Sequence, residues 1–216
     1  GQPLRVVVVG QEYGHGPGRV TMAERRRRIT RVSARQKRFF SDGDRGGRNP
    51  HMRGTTSALR LLHGRKPGRD YEGEWLDLAS GRRAHLFDTF ALVNYLLCSA
   101  VADGSTRGLA TREMKRNCAE HFREALDILS PTVVVIQGTG FARWVVKQLP
   151  AYRPRKGVLG RAEFPEGPAT VVSLSHPAAA GPTNWGDLKR PYLREVVPPA
   201  LRAARPLPAR GRFATR

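Results

Sequence analysis

Four short polar clusters stand where catalysis could be built, each directly after or within an apolar run. Gly10-Gln11-Glu12-Tyr13-Gly14-His15-Gly16-Pro17 follows Arg5–Val9, and Asn94 sits at or near the end of the stretch Leu86–Leu97. Gln137-Gly138-Thr139-Gly140 follows Thr132–Ile136, and Ser175-His176-Pro177-Ala178 follows Ala169–Leu174. The carboxylate of Glu12 can orient a water and stabilise a positively charged, oxocarbenium-like sugar. An imidazole N–H from His176 can donate to a leaving base that gathers negative charge on a carbonyl oxygen. The Asn94 amide offers both a donor and an acceptor to the Watson–Crick edge of such a base. Each residue also has a plainer reading: Glu12 as a loop acid paired to an arginine, His176 as a turn histidine, Asn94 as a satisfied core amide.

The elements that must position these groups read as alternating strands and helices. Val6–Val9, Val133–Ile136 and Ala169–Leu174 are short β-branched runs closed by polar or glycine residues, and Ala91–Asn94 is a fourth candidate strand. Met114, Cys118, Phe122, Ala125, Leu126 and Leu129 recur at helical spacing before Pro131. A short helix is expected from a Thr55 or Thr56 cap through Leu59 and Leu62 to Gly64, and another from Phe141 to Leu149. This alternation predicts a three-layer α/β/α fold with a central, mainly parallel four-stranded sheet. Ligands of such sheets bind beyond the carboxyl ends of the strands, where the polar clusters lie.

Composition narrows the partners. The chain has 216 residues with 38 Lys plus Arg against 18 Asp plus Glu, a formal net charge of +20. Eleven cations against three acids fall in Glu24–Arg53 and eight against one in Lys189–Arg216, so these two segments hold +15 of the +20. A polyanion, DNA in single- or double-stranded form, is the expected partner. The Arg25-Arg26-Arg27-Arg28 run is a candidate phosphate contact, and His15 and His51 read as surface or phosphate-contacting residues rather than catalytic ones. Two cysteines, Cys98 and Cys118, exclude a disulfide framework and a four-cysteine zinc or iron–sulfur site. No run reaches the roughly 20 apolar residues of a membrane helix, and no leader pattern opens the sequence. A cytoplasmic, nucleoid-associated monomer with no cofactor, no metal and no membrane partner is expected. Residues 1–190 read as one α/β domain carrying a basic insertion at about 14–54, and 191–216 as an extended basic arm rich in Pro and Arg.

The clusters and their order resemble the uracil-DNA glycosylase superfamily. Gly10 to Pro17 is similar to its strand-ending Gly-Gln-Asp-Pro-Tyr-His-Gly-Pro or Gly-Glu-x-Pro-Gly motif, Leu92-Val-Asn94-Tyr-Leu-Leu to its Asn-bearing strand, and Ser175-His176-Pro177-Ala178 to its His-Pro-Ser loop. The resemblance covers about residues 4–190. It implies a monofunctional DNA glycosylase that flips a damaged or modified pyrimidine, cuts its N-glycosidic bond and leaves an abasic site. Glu12 and His176 would be catalytic, with Asn94, Gln11 and Tyr13 at the base, and Phe39 or Phe40 stacking on it. Ser175 and Trp185 would touch DNA, Trp185 as a wedge in the emptied stack, although a core role serves Trp185 equally well. Glu12 replaces the Asp of the best-known branch, Tyr13 its Pro, Gly14 the Tyr that guards against a 5-methyl group, and Ala178 its Ser. These departures argue against strict uracil specificity. They leave room for an antiphage enzyme that excises a hypermodified cytosine. A non-catalytic basic nucleic-acid binder is the rival from another class, and a metal-dependent nuclease would need more clustered carboxylates than Glu12 with distant Asp88 and Asp187.

Overall fold

The valine runs at Val6–Val9 and Val133–Ile136 leave no polar side chain to face water, so both strands must be covered on two faces, and all eight residues are buried. Around them the described residues form, in chain order, β1 (Val6–Glu12), α1 (Pro50–Leu62), β2 (Trp75–Asp77), β3 (Arg83–His85), β4 (Phe90–Leu96), α2 (Arg112–Leu129), β5 (Val133–Gln137), α3 (Thr139–Val146), β6 (Arg153–Pro154), β7 (Leu159–Phe164), β8 (Gly167–Leu174), α4 (Pro191–Glu195) and α5 (Val197–Ala204). The structure is a computed structural model. It describes residues 3–12, 48–68, 70–78, 80–97 and 110–206, together with Thr21, Ala23, Glu24, Arg26, Arg27, Thr30 and Arg31; of Glu12 it describes the backbone.

The main sheet runs β4-β1-β5-β8-β7-β6. Its first four strands are mutually parallel, with Val8 opposite Leu92 on one side and Val135 on the other, and Val135 opposite Val172. These are the four strands legible in the sequence. The sheet has six strands rather than four, because β7 and β6 extend it antiparallel beyond β8. Neither extension shows an apolar run: β7 alternates Arg161 and Glu163 with buried Ala162 and Phe164, and β6 is two residues long. Hairpin β2–β3 stands apart as a second, two-stranded sheet.

Helices cover both faces. Leu59 and Leu62 of α1 and Val197 and Leu201 of α5 pack with Val6, Val8 and Val135. Cys118, Phe122 and Leu126 of α2 and Phe141 and Val145 of α3 pack with Val7, Val9 and Ile136 on the other face.

Several boundaries differ from expectation: β4 spans Phe90–Leu96 rather than Ala91–Asn94, and α3 spans Thr139–Val146 rather than Phe141–Leu149. Helix α1 starts at Pro50, not at Thr55 or Thr56: Asn49 is the cap, its side chain accepting from Met52 N–H at 2.9 Å, and proline occupies the first turn where its missing N–H is harmless. The last part of the expected insertion is therefore core helix. Among its other described residues, Ala23, Glu24, Arg26, Arg27, Thr30 and Arg31 are helical, with Arg26 and Arg27 exposed. The expected C-terminal arm is helical over Pro191–Glu195 and Val197–Ala204, and Leu193, Val197, Leu201 and Ala204 are buried. Its prolines start helices instead of preventing them, and the apolar spacing of 4, 4 and 3 closes one face on α1.

Candidate active site

Parallel pairing of β1 with β4 sets Gly10 directly opposite Asn94. The absence of a Cβ at Gly10 admits the amide, since a methyl there would lie 2.6 Å from Asn94 Oδ1 and 3.6 Å from His51 Cε1. Asn94 is partly buried at this spot. Helix α1 begins at the same end of the sheet, and its second residue, His51, carries its imidazole over Gly10.

His176 arrives from the loop after β8. Its ring stacks on His51 with centroids 5.9 Å apart and planes inclined by 24°. Ala178 N–H donates to His176 Nδ1 at 3.1 Å, which fixes the neutral tautomer with the proton on Nε2. His176 is solvent-exposed, and partial burial of its ring lowers its imidazole from the ordinary 6.5. Burial, with His176 beside it, pushes the His51 imidazole down to about 4. Both rings are therefore neutral near pH 7.

The loop that presents His176 is braced from within. Trp185 Nε1 donates to the Ser175 carbonyl at 2.6 Å, Ser175 Oγ donates to the Thr183 carbonyl, and Gly186 N–H donates to the Pro177 carbonyl at 2.9 Å. Pro177 seats against Gly54 of α1, where a Cβ would meet its ring at 2.6 Å. Gln137 at the end of β5 donates from Nε2 to Thr55 Oγ1 at 3.0 Å, and Thr55 Oγ1 donates to the His51 carbonyl at 3.1 Å. The residue before the α1 cap is anchored too. Arg48 pairs with Glu74 at 2.6 Å with both side chains fully buried, and His85 Nε2 completes the group 3.2 Å from the other Glu74 oxygen. Burial pushes the Glu74 carboxyl up, but hydrogen bonds from His85 and Arg48 outweigh it and hold it below its ordinary value.

The structure thus brings Asn94 and His176 to one end of the sheet and ends β1 at Glu12, opposite Leu96 and two residues beyond Gly10. Three sequence expectations change. Trp185 is wholly buried and hydrogen-bonded, so it is a brace of the His176 loop and not a wedge. Ser175 is buried with its hydroxyl, N–H and carbonyl engaged by Thr183, Tyr192 and Trp185, so it supports the loop instead of meeting phosphate. The pleat puts Gln11 with Val7 and Val9 on the face opposite Gly10, away from Asn94. Tyr13, His15, Arg25, Arg28, Phe39 and Phe40 lie outside the described residues. Sequence reasoning sets His51 aside as a surface or phosphate-contacting residue, whereas its ring lies at the site; the signal for that place is Asn49-Pro50 immediately before it, a cap and first-turn pair that sets an aromatic ring at a helix start. Among the described residues no group of three or more His, Cys, Asp or Glu could hold a metal ion, and no helix is long and apolar enough to cross a membrane.

Compared with known proteins, the chain matches no family model and no curated sequence.

Proposed function

We propose that this chain is a monofunctional DNA glycosylase that hydrolyses the N-glycosidic bond of a flipped pyrimidine. The observation that carries the reading is His176 held neutral with Nδ1 filled and Nε2–H left as donor, at the same sheet end as the Asn94 amide and the neutral His51 ring. A fixed N–H donor favours the charge that a departing base gathers on its carbonyl oxygen. Asn94 reads the base edge. His51 is the aromatic that the described residues offer for stacking, in the role the sequence suggested for Phe39 or Phe40. Glu12 supplies the carboxylate: it directs water to the anomeric carbon as the carbon–nitrogen bond breaks, the bonding pair leaves with the base, and the proton given up by the water neutralises it. The excess of cations holds the DNA.

A panel of oligonucleotides containing uracil, hypoxanthine, thymine mismatches, or hydroxymethylated or glucosylated cytosine tests this, with abasic sites revealed by alkali. Base release that persists in a chelator is expected. Backbone nicking that needs no alkali and stops in the chelator would establish a nuclease in its place.

A further inference from the structure

Away from the candidate site, on the α2–α3 face, one indole gathers three cations. Lys115 Nζ lies 4.3 Å from the Trp144 ring centroid, Arg143 Cζ 5.2 Å and Lys147 Nζ 5.8 Å. Trp144 is partly buried, packed at the edge of the core with Cys118 and Phe141, so the ring is a fixed platform. Arg143 and Lys147 are exposed. Among the described residues none of the three cations has a carboxylate within ion-pair distance, whereas Arg83, Arg161 and Arg190 are paired with Glu72, Glu163 and Asp187.

Helix α2 deepens the contrast. Arg112, Lys115 and Arg116 stand against Glu113 in its first two turns, and Glu120, Glu124 and Asp127 against Arg123 from Glu120 onward. This arrangement opposes the helix macrodipole, which favours acids at the start and bases at the end. A charge order that works against the helix calls for a partner outside it. The basic end is also the one nearest the candidate site. Leu97 N–H, just past the end of β4, donates to Cys118 Sγ at 3.4 Å, so the turn carrying Lys115 projects beyond the carboxyl ends of the strands. Tyr95 Oη donates to the Lys115 carbonyl at 3.2 Å and fixes that turn.

We propose that this shoulder holds the phosphate backbone of the DNA strand flanking the flipped nucleotide, with Lys115, Arg143 and Lys147 on successive phosphates and Trp144 holding the three in place. A single small anion would engage one of these points. A phosphodiester chain, charged at every nucleotide, matches cations distributed over two helices. Cation–π attraction restricts the two lysines and the arginine without neutralising them, so they meet phosphate already ordered. The identity of the polyanion rests on the glycosylase reading; the existence of the surface does not.

The test uses the full chain. Arg143→Gln with Lys147→Gln, both exposed, and the triple variant that adds Lys115→Gln are titrated with duplex DNA over a salt series, and base release is followed in single turnover at saturating DNA. Removing one phosphate-binding cation should flatten the slope of log affinity against log salt by about 0.9, hence about 1.8 for the double variant and about 2.7 for the triple. Base release at saturation should match the parent. A slope unchanged in the folded double variant overturns the shoulder, and it does so even where base release by the parent upholds the glycosylase reading. A flattened slope in a chain that releases no base from any oligonucleotide upholds the shoulder and overturns the glycosylase reading. Should the triple variant fail to fold, the exposed pair alone decides.

Discussion

Holding His51 near 4 means that the folded chain refuses a proton the unfolded chain accepts at about 6.5. The stability linked to the neutral ring is therefore complete above pH 6.5 and is lost as pH falls through 6.5 towards 4, to a limit of about 3 kcal/mol. Burial of His176 acts in the same direction. Replacing His51 with Phe removes one titration and keeps an aromatic ring, so urea unfolding at pH 7, 5.5 and 4.5 should show a shallower decline for His51→Phe than for the parent. Parallel declines would show that the ring is not protonated on unfolding as supposed. Catalytic roles make their own demands on single residues. Glu12→Gln and His176→Ala should each slow single-turnover base release a hundredfold or more, about 3 kcal/mol for one preorganised group, with DNA affinity retained. Parental rates in both folded variants would dismiss the assignment. Gly10→Ala is the geometric counterpart: its methyl would lie 2.6 Å from Asn94 Oδ1, so the amide must move. Base release should fall at least tenfold by the scale of one misplaced group, with binding to undamaged DNA unaltered.

At the scale of elements, the C-terminal helices have the clearest energetic consequence. Leu201 of α5 is fully buried and belongs to the cluster shared by α1, β1 and β5. Leu201→Ala should cost about 2–5 kcal/mol, read as a drop in urea midpoint with an unchanged slope. An effect below about 0.5 kcal/mol would be that of a detachable arm. Prolines at 191, 198 and 199 hid these helices from the sequence, because the same residue that breaks a helix interior starts a helix end. The central strands were legible for the opposite reason. Unbroken valine runs fit strands buried on two faces, and their closing residues mark where ligands bind. Alternation in β7 spreads its apolar residues among charges, and two-residue β6 has no pattern to show. The same division holds in the site. Asn94 and His176 could be placed because one lies in a readable strand and the other follows one; His51 could not, because α1 begins well before the Leu59 and Leu62 pair that signals it and behind an arginine-rich stretch that masks its cap. What fixes its start is long-range: Arg48 on buried Glu74, with His85 behind.

For the molecule as a whole, 38 cations and 18 acids leave at least 20 Lys or Arg without a carboxylate of their own, whatever the pairing. Several carboxylates are already committed to ion pairs: Glu74 to Arg48, Glu72 to Arg83, Asp70 to Arg60, Glu163 to Arg161 and Asp187 to Arg190. The fold must therefore be compact against its own repulsion, which a polyanion or dissolved salt relieves by different routes. Salt screens the repulsion without binding specifically, so the thermal midpoint of the free protein should rise by a few degrees between about 20 mM and 500 mM sodium chloride. Exposed ion pairs weaken under the same screening, but each is worth at most about 1 kcal/mol and they are outnumbered. A short duplex of arbitrary sequence should raise the midpoint further at low salt, because a ligand that prefers the folded state adds its binding free energy to stability. That increment should vanish at 500 mM, where released counterions no longer drive association. Scanning calorimetry across the four combinations of salt and duplex decides the matter. A midpoint that falls with salt would mean that attraction between paired charges outweighs the excess of cations, and a duplex increment that survives high salt would mean that DNA is held by something other than charge.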